Sequence, residues 1–257
     1  MIYIDGDSCL HGAGIAQELF GYTEYYTGVE IKERIRKQDV RNVNNRMIKM
    51  KEQNKNLATS DSKFIENNNV SAQLIKKGIN VKTKARGGSS NQAIASRIID
   101  AIISDSTKTV IFCPTNCTRL IYPRKNSQSL TFGNADISKE YKNYIKKWLK
   151  VFSVEQTRYL ELNALLGLMS FCKDNNIELL GVKTLIWQLQ VNDVKKQSTD
   201  TLFTPIFRII DQVNELCIFD MGSDFLDNEK KLYTACGHPN LQAHTKLAED
   251  ICTHLKI

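Results

Sequence analysis

No stretch of this 257-residue chain approaches eighteen consecutive apolar residues, so no membrane-spanning helix is expected. Met1 leads straight into an apolar segment without a basic region or a small-residue cleavage site, which reads as no secretory leader. The cysteines number seven, an odd count, at positions 9, 113, 117, 172, 217, 236 and 252, and they follow no disulfide framework. Several lie in apolar runs, where a thiol packs as a small hydrophobe, and a reduced, cytosolic setting follows. Cys113 and Cys117 stand at C-x3-C spacing without the second pair or the histidine that a zinc site needs. The chain also lacks internal repeats, a low-complexity tail, a P-loop and a G-x-G-x-x-G fingerprint.

What is present is ordinary for a globular chain: 42% hydrophobic and 25% charged residues. The net charge of +7 is concentrated, because residues 31–58 carry nine Lys/Arg against three acids. Such a field could draw in nucleic acid. No aromatic residue is interleaved there for base stacking, and a solvated helical hairpin or lid is the favoured reading.

Short apolar runs alternate with helical patterns, the signature of an α/β chain with a parallel sheet. Strands are expected at 2–5, 79–83, 109–113, 178–182 and 216–219. A helix over 91–103 repeats Ile94, Ile98 and Ile102, with Ser89 or Ser90 as its cap. A second covers about 154–173, with Leu162, Leu165, Leu166, Met169, Phe171 and Cys172 toward the core, closed by Asp174-Asn175-Asn176. The last, about 241–254, repeats Leu247, Ile251 and Leu255. The fold expected is a three-layer α/β/α sandwich around about five parallel strands, in one domain over 1–257. Insertions at about 20–70 and 118–150 follow strand carboxyl ends, the edge where open α/β sheets bind ligands.

Four polar segments sit at those ends. Gly6-Asp7-Ser8 closes the first strand and offers a hydroxyl, and small residues follow it (Gly12, Ala13, Gly14). Gly87-Gly88, after the second strand, can present a backbone N–H from Gly88. Asn116, after the third, has an amide NH2 able to donate to a developing oxyanion. Gly237-His238-Pro239-Asn240, ahead of the last helix, offers an imidazole. A serine is a weak nucleophile until a base takes its proton, so hydroxyl plus imidazole is the minimum for acyl transfer. His11 is a competing base, close to Ser8 in sequence, whereas His244 and His254 read as packing or surface residues on the last helix. Each segment alone has a bland reading as a turn.

Together and in this order, the four segments resemble the SGNH (GDSL-type) hydrolase family. The tail His-Pro-Asn-x-x-Ala-His (238–244) is similar to a variant common there. Of the third block, Gly-x-Asn-Asp, only Asn116 is kept. The resemblance implies a serine esterase with Ser8 as nucleophile and His238 as base, and an oxyanion hole from the Ser8 N–H, the Gly88 N–H and the Asn116 amide. It implies no cofactor and no metal, and as substrate a small acylated molecule or an acylated carbohydrate, for example an O-acetyl ester. The family's aspartate two or three residues before the histidine is replaced by Ala235 and Cys236. Asp220 is the substitute acid, with Asp224 and Asp227 behind it; without one, a Ser-His dyad remains. Asp7 is expected to cap nearby N–H groups. The alternative function is a catalytically weak or inactive SGNH-like protein that binds a partner or an acylated or anionic polymer.

Overall fold

The computed structural model describes residues 1–15, 24–36, 63–117, 119–121, 129–131, 139–185, 187–189, 191–192, 204–221, 232–234 and 237–257. In chain order its strands are β1 (Ile2–Asp5), β2 (Tyr25–Tyr26), β3 (Val81–Thr83), β4 (Thr109–Phe112), β5 (Arg119–Ile121), β6 (Ser129–Thr131), β7 (Glu178–Lys183), β8 (Phe219–Asp220) and β9 (Tyr233–Thr234). The helices are α1 (Ser8–His11), α2 (Gly28–Arg36), α3 (Val70–Lys76), α4 (Asn91–Ser104), α5 (Lys139–Trp148), α6 (Val154–Asp174), α7 (Thr204–Leu216) and α8 (Leu241–Leu255).

Five parallel strands form the central sheet in the order β3-β1-β4-β7-β8. The chain first crosses from β1 to β3 on one side, then returns to place β4 on the other. That reversal puts β1 at the switch point, where diverging connections open a crevice beyond the strand's carboxyl end. Helices cover both faces, giving the expected three-layer α/β/α sandwich. Alternation within each strand explains why. Tyr3, Val110 and Phe112 point to one side and pack with Ile94 and Ile98 of α4, Leu162 and Leu165 of α6, and Ile209 and Ile210 of α7. Ile2, Ile4, Ile111 and Val182 point to the other, against Val70 and Leu74 of α3 and Leu247 and Ile251 of α8.

The helix boundaries follow from their caps. Ser90 accepts from Ala93 N at the start of α4, and Ser153 and Gln156 form a capping box on α6. Asn175 caps the end of α6 and Asn176 turns the chain with a φ of 54°.

Two details differ from the sequence reading. On α6 the core side holds Leu162, Leu165, Leu168 and Cys172, whereas Leu166 is 39% exposed, because the buried stripe advances by three or four residues per turn. The last strand of the central sheet is Phe219–Asp220, not 216–219, because Leu216 ends α7 and the chain turns at Cys217 against Gly181.

Of the two insertions, β2 and α2 lie in the first, and β5, β6 and α5 in the second. The basic segment beyond Arg36 lies outside the described residues, as do Asp224, Asp227, Ala235 and Cys236.

Candidate active site

The site is assembled at the carboxyl end of β1. Gly6 lets the strand leave the sheet: a Cβ there would sit 2.8 Å from the Cys113 Cβ and 3.1 Å from Leu10. Asp7 then caps α1, its Oδ1 accepting from Cys9 N at 2.8 Å, as expected. This capped turn places Ser8 directly beyond the end of β1, where the residue is 8% exposed.

The imidazole arrives on a separate loop, 230 residues later. Tyr233 of β9 pairs with Tyr26 of β2, and Thr234 holds the loop closed, its N–H and hydroxyl donating to His238 O at 2.9 and 3.0 Å. Asn240 caps α8 through Ala243 N. Gly14 permits the approach, since a Cβ there would lie 2.2 Å from Pro239 O and 2.9 Å from His238 Cβ. The result is His238 Nε2 at 2.8 Å from Ser8 Oγ, a distance suited to proton transfer between them.

The glycine turn completes one wall. Arg86 N donates to Gly6 O at 3.2 Å, and Ser89 closes the turn with its N–H and hydroxyl on Arg86 O. A Cβ on Gly87 would stand 3.8 Å from Ser8 Cβ, and Gly88 has a φ of 77°. Among the described residues the N–H groups of Ser8, Gly87 and Gly88 have no acceptor. Gly87 therefore stands beside Gly88 as a donor candidate, a neighbour the sequence reading passes over. Thr115 ties the β4 loop to the same place, its hydroxyl donating to Asp7 Oδ2 at 2.7 Å. Asn116 follows directly, with its carbonyl accepting from Arg119 N.

Two arginines hold this arrangement from beneath, and no local sequence signal marks either. Arg97 forks onto Asp5 (Nε–Oδ2 2.8 Å, Nη2–Oδ1 2.5 Å) and reaches Ser89 Oγ. Arg119 Nη1 donates to Asp7 Oδ2 at 3.2 Å and Ser89 O at 2.9 Å. Ser89 thus fixes the glycine turn to both buried acids. Behind it, Glu161 accepts from Asn91 N and Gln92 N, and burial pushes its carboxyl up to about 8.

Asp220 closes the edge strand β8, with β4 and β7 between it and β1. It lines a surface groove of about 530 Å³ with Lys246, Asp250, Thr253 and His254. The structure brings Ser8 and His238 into contact and sets the glycine turn and the Asn116 loop beside them; Asp220 stands at the end of β8 and lines this groove.

Competing groups at the site are silenced by burial. The Cys9 and Cys113 thiols are fully buried and pushed well above the usual thiol range, first by desolvation and then by Asp7. His244 is fully buried, and its Nδ1 accepts from Val70 N at 3.2 Å. Desolvation, with the nearby His11 and His238 charges, lowers it to about 3, so it stays neutral and packs. The folded form therefore binds fewer protons at this position than the unfolded chain. Its contribution to stability is whole above the ordinary imidazole value near 6.5 and is lost as pH falls toward 3. Urea titrations are expected to show wild type losing up to about 1.4 kcal/mol per pH unit relative to His244→Gln between pH 6 and 4. Parallel pH curves for the two proteins would contradict the assignment.

Compared with protein-family models and with curated proteins, the sequence matches none.

Proposed function

We propose that the protein is a serine hydrolase of the SGNH type that cleaves a carboxylic ester, with an O-acetyl group on a carbohydrate or another small acylated molecule as the substrate class. The observation that carries this reading is the 2.8 Å approach of Ser8 Oγ to His238 Nε2. Ser8 attacks the carbonyl carbon while His238 Nε2 takes the hydroxyl proton. The tetrahedral oxyanion is met by the N–H groups of Ser8 and of the Gly87-Gly88 turn and by the Asn116 amide. Collapse breaks the C–O bond, His238 returns the proton to the departing alcohol, and water then releases the acid by the same route. With Ala235 and Cys236 at the positions that carry an acid in the family, the reading is a Ser-His dyad or an atypical triad in which Asp220 is the candidate acid.

Fluorophosphonate labelling tests the proposal. Wild type is expected to label and Ser8→Ala to lose both labelling and p-nitrophenyl acetate turnover. Undiminished labelling of Ser8→Ala would overturn the nucleophile. The same two alanine and cysteine positions favour one second reading, an inactive binder of an acylated or anionic polymer. Wild type that ignores the probe yet binds such a polymer would establish it.

A further inference from the structure

The charges around the crevice are distributed unequally. The acids at the carboxyl end of β1 are engaged inward: Asp5 with Arg97, and Asp7 with Cys9 N, Thr115 and Arg119. The cations on the adjoining edge face outward. Beyond β3 the chain keeps pairing with β1, Lys84 N donating to Ile4 O and Arg86 N to Gly6 O, both at 3.2 Å. Lys82, Lys84 and Arg86 alternate along that edge and all are exposed. Lys82 is paired with Asp105 at 2.7 Å, and Lys84 acts on the same carboxylate. Arg86 is different: its guanidinium has no acceptor among the described residues. It also immediately precedes Gly87, where an added Cβ would stand 3.8 Å from Ser8 Cβ.

We infer that Arg86 is a specificity residue, and that the ester taken at Ser8 carries an anionic group, a carboxylate or a phosphate, which this guanidinium binds at the rim. The inference rests on the hydrolase reading above and narrows its substrate class. A planar fork of donors matches such oxyanions bidentately, and an unpaired cation next to a cleft raises the local concentration of anionic substrate.

The test compares matched esters in wild type, Arg86→Gln and Arg86→Lys. One pair, 4-acetoxybenzoate against 4-acetoxybenzamide, places the charge on the alcohol side. The other, p-nitrophenyl hydrogen adipate against p-nitrophenyl valerate, places it on the acyl side. In at least one pair the wild-type ratio of kcat/KM, charged over neutral, is expected to fall about 5- to 30-fold in Arg86→Gln, mainly through KM. Arg86→Lys should retain part of it, and added salt should erode the wild-type ratio. Unchanged ratios in both pairs, with turnover intact, overturn the role of Arg86 and leave the esterase standing. No turnover of any of the four esters by wild type overturns the esterase reading and this inference together.

Discussion

Replacing His238 by alanine is expected to lower kcat for p-nitrophenyl acetate by about 10³-fold or more, the range in which removal of a general base falls. The reason is geometric. At 2.8 Å the His238 Nε2 is the group placed to take the Ser8 proton, and an unassisted hydroxyl stays protonated near neutral pH. KM should move far less, because the imidazole meets the reacting proton and carries little ground-state binding. Two further readouts separate catalysis from damage to the loop. The variant should lose the limb over which wild-type kcat/KM rises as the imidazole gives up its proton. Added free imidazole should restore part of the rate by entering the space the side chain leaves. His11→Ala is the control, since His11 is the competing base candidate, three residues from Ser8 in sequence, and about a tenfold change at most is expected. Equal losses from both variants, with no rescue, would remove His238 from the role of base.

How much of this was written in the sequence depends on the range of each interaction. The strands of the sheet are legible because fully buried parallel strands read as short apolar runs, and β1, β4 and β7 fall where those runs stand. The serine and the histidine are legible for a different reason: strand ends and helix starts mark where side chains meet the crevice. Helix α7 is passed over, although Ile206, Ile209, Ile210 and Val213 repeat at helical spacing and are buried. The apolar run from Leu216 to Phe219 defeats a strand boundary because a helix end and a strand share it. Arg97 and Arg119 were out of reach in principle. Their partners lie 92 and 112 residues away, and a surface arginine and a buried one look the same in a sequence until the chain folds. His244 is the same lesson reversed: a histidine on a helix pattern carries no mark of its depth.

Arg97 is where that hidden layer predicts the largest loss of stability. Asp5 is fully buried, and desolvation raises its carboxyl while the Arg97 fork, the Gly6 N–H and the Tyr3 hydroxyl oppose the rise. Arg97→Met keeps the aliphatic stem and deletes the fork, leaving a buried carboxylate without its cation. The expected loss is about 3–5 kcal/mol at pH 7, the usual range for breaking one side of a buried pair. In a chain of this size that lowers Tm by on the order of 10 °C. The pH dependence identifies the cause. Without the guanidinium the folded Asp5 pKa lies further above its unfolded value, so the folded variant holds a proton that the unfolded chain releases. Its stability deficit should therefore be greatest at and above neutral pH and should shrink as pH falls and Asp5 protonates. Asp5→Asn in the Arg97→Met background should recover part of the loss at pH 7, and a double-mutant cycle measures the coupling. Activity should fall as well, because the same fork holds Ser89 Oγ at 3.0 Å and Ser89 closes the glycine turn beside Ser8. A variant as stable as wild type across this pH range would show that the pair at the end of β1 does not hold the site together.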